Sequence, residues 1–157
     1  MATVFEGNLE PPAGRFAIVA ARFNQFVVQH LVSGAVDGLK RHGVDDKSVD
    51  LVWVPGSLEI PVVAQRLAGS RKYAAVICLG AVIRGETDHY DHVAAGVAHG
   101  VSQAALVTGI PVIFGVLTCD TLDQAINRSG AKSGNKGFEA ALAAIEMANL
   151  LRQLPER

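Results

Sequence analysis

Four long apolar runs constrain the fold of this chain more than any other feature of its sequence. They read RFAIVAA at 15–21, VDLVWV at 49–54, AAVICLG at 74–80 and PVIFGVLT at 111–118. Their hydrophobicity is nearly continuous, without alternation with polar residues, which is typical of strands buried on both faces of a parallel sheet. The sequence therefore predicts four parallel strands covered by helices on both sides.

Helical patterns follow each apolar run, and they predict helices at 26–42, 57–67, 89–108 and 136–154. Alternation of strands and helices with short links implies right-handed crossovers between parallel strands. We expect an α/β fold that is a single-domain, doubly wound (flavodoxin-like) three-layer sandwich spanning residues 1–157, with a four-stranded parallel sheet of order 2-1-3-4. The leading ATVFEG, residues 2–7, is a candidate for an extra N-terminal edge strand, in this chain or in a neighbouring copy.

The composition indicates self-association. Hydrophobic residues make up 50% of the 157 residues and charged residues only 18%, against roughly 25% charged residues in typical soluble domains. Such a shortage of polar surface suggests that part of the surface is buried against other copies of the chain. The third predicted helix is rich in Ala and Gly, which would allow close helix–helix contact between subunits.

Charge and patterning argue against several other classes of partner. The net charge is −1 and no basic run occurs, so we expect no nucleic-acid binding. Apolar stretches end well before the ~18 residues that a membrane span needs, and the N-terminus does not resemble a secretory signal, so we expect no membrane association. Cys78 and Cys119 stand alone, as reduced, buried cysteines do in a cytoplasmic protein.

Ligands of doubly wound folds bind beyond the carboxyl ends of the strands. This rule selects four loops, which read ARFNQ, PGSLE, GAVIRGETDH and TCDTLDQ. The third contains the start of GETDHYDH, residues 85–92, which holds two histidines and three carboxylates. The chemistry of this stretch can be interpreted in two ways.

A metal site is the first interpretation. His89 and His92 would share a helix face, but a zinc site needs a third ligand held in place, and only Glu59 and Asp120 are plausible additions. Acid–base and anion chemistry is the second, since the N–H groups and dipole of a helix start suit a phosphate, and His89 can transfer protons near neutral pH. The same residues could simply cap the helix.

Other nucleotide and phosphate modules do not fit. GAKSGNKG at 130–137 departs from a P-loop because Asn135 separates Gly134 from Lys136, and no predicted strand runs directly into it. G-x-G-x-x-G is absent. The third predicted strand ends in Gly80-Ala81 where a receiver domain has its acceptor Asp, and ARFNQ lacks the Ser/Thr-rich phosphate loop of flavodoxins.

Five motifs in sequence order make the chain recognisable: RFNQFV, VPGSLEIP, GAVIRGETDHYDHVA, PVIFGVLT and RSGAKSGNKGFEAA. Together they closely resemble lumazine synthase, the penultimate enzyme of riboflavin biosynthesis, over roughly residues 15–152. The resemblance implies an enzyme of the transferase class, 6,7-dimethyl-8-ribityllumazine synthase. It would condense 5-amino-6-(D-ribitylamino)uracil with 3,4-dihydroxy-2-butanone 4-phosphate to give 6,7-dimethyl-8-ribityllumazine, phosphate and water.

The resemblance also implies small-molecule substrates, no metal and no organic cofactor. Family members form homopentamers, often assembled into an icosahedral capsid of 60 subunits, with active sites at subunit interfaces. Riboflavin synthase is a further partner that the resemblance suggests. Pentamer, decamer and shell all stay open for this chain.

The resemblance assigns residues to the pyrimidine substrate and to proton transfer. His89 matches the catalytic histidine. Phe23 matches the aromatic residue that stacks on the uracil ring, and Glu59 the carboxylate that accepts hydrogen bonds from ribityl hydroxyls. Phe114 matches a residue that the adjacent subunit brings to the ring. Backbone contacts to the uracil and ribityl groups are implied for Ser57, Leu58, Ala81, Val82 and Ile83.

Four further residues match the phosphate and butanone site of the family. Glu86 and Thr87 match the loop whose backbone amides receive the phosphate. Arg128 matches the cation that clamps it, since a guanidinium can form two parallel bonds to oxygen, and Lys136 matches a second cation. Glu86 departs from the family pattern because it places an acid in this loop. Ser57 and Leu58 also depart from the pattern, because other members often have Ala and an aromatic residue at these two positions. A flavin-binding or shell-forming relative that has lost catalysis is the rival interpretation.

Overall fold

A computed structural model describes residues 1–156. Its central sheet contains β1 (Arg15–Ala21), β2 (Val49–Val54), β3 (Tyr73–Ile83) and β4 (Val112–Cys119). All neighbouring pairs are parallel, and the strand order is β2-β1-β3-β4. The predicted four-stranded sheet and its order are therefore confirmed.

Helices cover both faces of this sheet: α1 (Gln25–Arg41), α2 (Ile60–Gly69), α3 (His89–Thr108), α4 (Leu122–Arg128) and α5 (Lys136–Gln153). Helices α1 and α5 pack together on one face, and α2 and α3 on the other. Successive side chains of a strand point to opposite faces. In β1, Phe16 and Ile18 accordingly join the α1–α5 core, whereas Ala17 and Val19 join the α2–α3 core. Both layers are apolar, which explains the continuous hydrophobicity of the run.

Three local features differ from the sequence-based expectations. Strand β3 continues to Ile83, three residues past the predicted end, so Ala81 to Ile83 are strand rather than loop. Residues 57–59 form a 3₁₀ turn, and α2 begins at Ile60 instead of Ser57. Helix α4 and the antiparallel hairpin of β5 (Ser129–Ala131) and β6 (Gly134–Asn135) were not predicted. They are short and polar, and their ends depend on side-chain caps rather than on a hydrophobic pattern.

The N-terminal segment forms no strand within residues 1–14. It lies along α5, where Asn149 Nδ2 donates to the carbonyl oxygens of Asn8 and Glu10 at 2.9 and 2.7 Å. The candidate edge strand at 2–7 is therefore not part of this chain's own sheet, which leaves pairing with a neighbouring copy as the prediction. No helix within residues 1–156 is long and apolar enough to span a membrane.

Candidate active site

The loop after β1 is held against the end of β2. Arg22 N donates to Val54 O at 2.8 Å, and Phe23 N donates to Pro55 O at 3.0 Å. These bonds continue the β1–β2 pairing past the last strand residues. The side chain of Phe23 is left outside the core, 71% exposed. An aromatic ring held on an ordered backbone at this edge can stack on a planar ligand.

Asn24 joins this loop to β3. Its side-chain Nδ2 donates to Ala81 O at 2.8 Å, and its backbone adopts the left-handed conformation with φ 63°. Asparagine tolerates this conformation better than most residues. The bond joins the loop after β1 to the end of β3. The boundary between β1 and β3 is the switch point of the sheet, because β2 lies on one side of β1 and β3 and β4 lie on the other, and ligands of such folds bind there.

The turn after β2 packs onto β3 through a glycine. Ser57 is buried, and a Cβ atom at Gly80 would lie 2.7 Å from Ser57 Oγ. Glycine at position 80 therefore lets this turn approach the sheet closely. Leu58 is about half exposed, at 47%, and Glu59 is exposed at the end of the turn.

The end of β3 presents main chain rather than side chains to this edge. Ala81 and Val82 are buried, and Ile83 is half-buried. Ala81 belongs to the α1–α5 core and Val82 to the α2–α3 core. The carbonyl oxygen of Ala81 receives the Asn24 bond, so the segment is polar only along its backbone.

Residues 85–88 connect β3 to α3. Glu86 and Thr87 are exposed, and Thr87 Oγ1 accepts from the backbone N–H of His89 at 3.4 Å. His89 is exposed at the first position of α3, as predicted. Its imidazole can therefore exchange protons with a ligand or with solvent.

The histidine pair does not gather further metal ligands. His92 Nε2 lies 3.5 Å from Asp88 Oδ2, one helical turn away. Within residues 1–156, no group of three or more His, Cys, Asp and Glu side chains is arranged to hold a metal ion. Both histidines lie exposed in the first turn of α3.

A second group of predicted residues lies at the outer edge of β4. Phe114, Arg128 and Lys136 line a cavity of about 410 Å³. Arg128 Nη1 donates to Gln124 O at 3.3 Å, within α4. Burial raises the pKa of Cys119, another lining residue, and the nearby positive charge of Arg128 opposes this rise. Two cations and one carboxylate, that of Glu139, line this cavity, and the remaining positive charge suits an anionic ligand.

The predicted site residues thus form two groups in a single chain. The first lies over the ends of β1, β2 and β3 and comprises Phe23, Ser57, Leu58, Glu59, Ala81, Val82, Ile83, Glu86, Thr87 and His89. The second comprises Phe114, Arg128 and Lys136. No residue of the first group lines the cavity at β4.

Comparison with known proteins identifies the family of this chain. The family model for 6,7-dimethyl-8-ribityllumazine synthase matches residues 13–152. Two relatives with that name, both from Clostridium kluyveri, are each 56% identical over 151 residues, which is 96% of this chain and 98% of the relative. The chain belongs to the 6,7-dimethyl-8-ribityllumazine synthase family. The resemblance inferred from the five motifs is therefore confirmed.

Two residues that hold the candidate loops in place were missed by sequence reasoning, although both lie in the loops that it selected. Asn24 was passed over, yet asparagine after a buried strand is a recognised candidate for the left-handed conformation. Arg84 was also passed over, and its guanidinium contacts Asp120 and Asp91 at 2.9 and 3.5 Å. Arg84 directly precedes the loop of Glu86 and Thr87, which the resemblance assigns to the phosphate, and its own role there is not assigned.

Proposed function

We propose that this chain condenses 5-amino-6-(D-ribitylamino)uracil with 3,4-dihydroxy-2-butanone 4-phosphate, giving 6,7-dimethyl-8-ribityllumazine, phosphate and water. This is the penultimate step of riboflavin biosynthesis. The observation that carries the proposal is the family match over residues 13–152, because this range includes every candidate site residue. The presence of an exposed imidazole and an exposed aromatic ring in one group, and of two cations in the other, is compatible with it.

The reaction defines what the protein must provide. The uracil amine attacks the ketone to form an imine, phosphate leaves, and the ring closes with loss of water. Holding amine and ketone in one orientation supplies much of the acceleration, because it replaces a bimolecular encounter. Transfer of protons by a positioned group adds typically about 10²–10⁴-fold.

We assign the pyrimidine end of the site to the first group of residues. Phe23 stacks on the uracil ring, and Glu59 accepts hydrogen bonds from ribityl hydroxyls. Main-chain groups of Ser57 and Leu58, and of residues 81–83, contact the same substrate. His89 transfers protons as the imine forms and the ring closes. Support comes from the position of these groups over the switch point of the sheet, where such folds bind ligands.

We assign the phosphate to the amides of Glu86 and Thr87 together with Arg128 and Lys136. A guanidinium can form two parallel bonds to phosphate oxygens, and an ammonium adds a compact charge. Glu86 forms no ion pair within residues 1–156. Its exposed carboxylate can therefore point away from a bound anion.

We further propose that the complete site forms only between adjoining copies. The grouping of these residues in one chain supports this, since no residue of the first group is among those that line the cavity of Arg128, Lys136 and Phe114. Exposed apolar side chains such as Val62, Leu106 and Val107 provide surface for such contacts. A homopentamer is the assembly proposed, either free or within a 60-subunit shell, with cytoplasmic location and riboflavin synthase as an associated enzyme. Light scattering with mass determination distinguishes pentamer, decamer and shell.

The proposed activity is tested by incubating purified protein with both substrates and following lumazine absorbance. The expected result is product formation well above the rate of the unaided reaction. A rate equal to that of the unaided mixture would remove the enzymatic proposal and favour a binding or shell-forming relative that has lost catalysis.

A further inference from the structure

Arg84 occupies the junction between the sheet and the loop proposed to receive phosphate. Its backbone N–H donates to Cys119 O at 2.8 Å, which continues the β3–β4 pairing by one residue. Its side-chain Nε donates to Asp120 Oδ1 at 2.9 Å. The residue is thus attached to the end of β4 through both its main chain and its side chain.

The same guanidinium reaches the first turn of α3. Nη1 lies 3.5 Å from Asp91 Oδ1, and Cζ lies 4.4 Å from the centre of the Tyr90 ring, a cation–π arrangement. Gly85 to Asp88 therefore lie in the chain between Arg84 and the two residues of α3 that its guanidinium contacts, Tyr90 and Asp91. One side chain connects the start of this four-residue segment to the helix that follows it.

The charge of Arg84 is already matched by protein groups. Two carboxylates, of Asp120 and Asp91, face one guanidinium, and its planar surface lies against Tyr90. The hydrogen bond to Asp120 raises the pKa of Arg84, and the charge of Asp91 acts in the same direction. Arg128, in contrast, forms no ion pair within the described residues 1–156.

We propose that Arg84 is a positioning residue that fixes the segment Gly85–Asp88, so that its amides and the adjacent His89 face the phosphorylated substrate, without itself binding the phosphate. This inference rests on the proposed function and adds to it a residue outside the assigned site. Asp120 is its principal partner, and Asp91 and Tyr90 complete the attachment. The phosphate is then gripped by Arg128, whose guanidinium is not committed to a carboxylate.

The opposite assignment, in which Arg84 binds phosphate directly, makes a different prediction for Asp120. If Asp120 positions Arg84, then Asp120→Asn loosens the loop and weakens phosphate binding. If Asp120 competes with phosphate for Arg84, the same substitution frees the guanidinium and strengthens phosphate binding. The sign of this effect therefore separates the two roles.

The experiment uses the intact protein with Arg84→Met, Arg84→Lys, Asp120→Asn and the Arg84→Met/Asp120→Asn double variant. Asp123→Asn is the matched control, because Asp123 is a neighbouring carboxylate with no ion pair to Arg84. Binding of radiolabelled inorganic phosphate is measured by equilibrium dialysis. Steady-state kinetics then give kcat and separate KM values for the two substrates.

For Arg84→Met we expect KM for the phosphorylated ketone to rise about tenfold, because displacing a binding loop by ~1 Å can cost up to ~100-fold. The KM for the pyrimidine should stay within about twofold of wild type, since Phe23 and Glu59 lie on other loops and residues 81–83 belong to β3, which the substitution leaves in place. Arg84→Lys should resemble Arg84→Met, because lysine lacks the planar fork and cannot reach both carboxylates in the same way. Asp120→Asn should raise the ketone KM less, and the double variant should match Arg84→Met because the two residues act as a unit.

Several results would overturn the proposal: tighter phosphate binding in Asp120→Asn, full rescue by Arg84→Lys, or equal loss for both substrates. An effect of Asp123→Asn as large as that of Asp120→Asn would also do so, because it would indicate a general field effect. Failure of the proposed function can be told apart from failure of this inference. If the proposed function is wrong, wild-type protein gives no turnover, but dialysis still shows whether Asp120→Asn weakens or strengthens phosphate binding. Absence of phosphate binding in wild type would contradict the positioning role itself.

Discussion

Asn24 offers a test that links the fold of the site to its activity. Its side chain forms the 2.8 Å bond to Ala81 O across the switch point, and its backbone has φ 63° and ψ 37°. Asn24→Gly removes the hydrogen bond but accepts the backbone conformation. Asn24→Ala removes the bond and also leaves alanine in a left-handed conformation that asparagine adopts more readily than alanine does.

The two variants therefore differ by a defined amount. Loss of a partly buried hydrogen bond costs about 0.5–1.5 kcal/mol, so Asn24→Gly should lower the free energy of unfolding by about 1 kcal/mol. The left-handed conformation costs most residues with a Cβ atom roughly 1–2 kcal/mol, a cost that is absent for glycine and reduced for asparagine, so Asn24→Ala should lower the free energy of unfolding by roughly 1–2 kcal/mol more than Asn24→Gly does. Both variants release the loop that carries Phe23, and both should raise KM for the pyrimidine more than KM for the phosphorylated ketone.

Denaturant unfolding and steady-state kinetics measure these quantities. Arg71→Gly is a matched control, because Arg71 also has φ 63° but its side chain forms no hydrogen bond within residues 1–156. It reports the net backbone effect of glycine at this φ, which can be subtracted from the Asn24→Gly result. Equal destabilisation by Asn24→Gly and Asn24→Ala would refute the backbone argument. An unchanged stability in Asn24→Gly, relative to that control, would refute the hydrogen-bond argument.

Three further predictions concern other parts of the chain. Arg128→Ala should weaken the apparent affinity for the phosphorylated ketone about 10–100-fold, and Arg128→Lys should have an intermediate effect. Steady-state kinetics that show equal weakening for the pyrimidine would contradict the phosphate role. Burial raises the pKa of Cys78 to about 12, so the thiol ionises at lower pH in the unfolded chain than in the folded protein, and stability falls as pH rises. Between pH 8 and 10, wild type should lose about 1.4 kcal/mol more unfolding free energy than Cys78→Ala. Denaturant titrations that give both proteins the same dependence of unfolding free energy on pH would exclude this cause. A Cβ atom at Gly137 would lie 1.9 Å from Leu31 O, so Gly137→Ala should destabilise the protein by about 1–3 kcal/mol. Gly69→Ala, whose Cβ atom would have ordinary contacts, should be neutral or stabilise it by up to about 1 kcal/mol. Thermal unfolding that ranks the two variants in the other order would show that α1 and α5 are not this close.

The sheet could be predicted from sequence because its central strands, β1 and β3, are buried on both faces. The runs at β1 and β3 are apolar throughout since they pack against helices on each side, and parallel strands joined by helices leave few topologies. The β5–β6 hairpin has no such pattern. It depends on Asn135, whose Nδ2 donates to His30 O at 2.9 Å and whose Oδ1 accepts from Phe138 N at 3.1 Å. The contact with His30 joins residues 105 positions apart in sequence and cannot be derived from local composition.

The site shows the same division. The motifs identify which residue types are present, and the carboxyl-edge rule places most of them near one another. The attachment of Arg84 to Asp120 spans 36 residues and depends on the β3–β4 register. The distribution of the predicted residues over two groups in one chain is likewise a property of the folded molecule. It is the basis for proposing that neighbouring copies complete the site.

Complementation between two variants, each impaired in one of the two groups, tests that claim most directly. His89→Ala damages the first group and leaves Arg128 intact, and Arg128→Ala does the reverse. When equal amounts of differently tagged variants co-assemble at random, about a quarter of the interfaces combine an intact His89 with an intact Arg128. Assemblies purified through both tags should therefore recover up to about a quarter of wild-type turnover per subunit. Mixed assemblies that stay as inactive as either variant alone would contradict a site shared between copies.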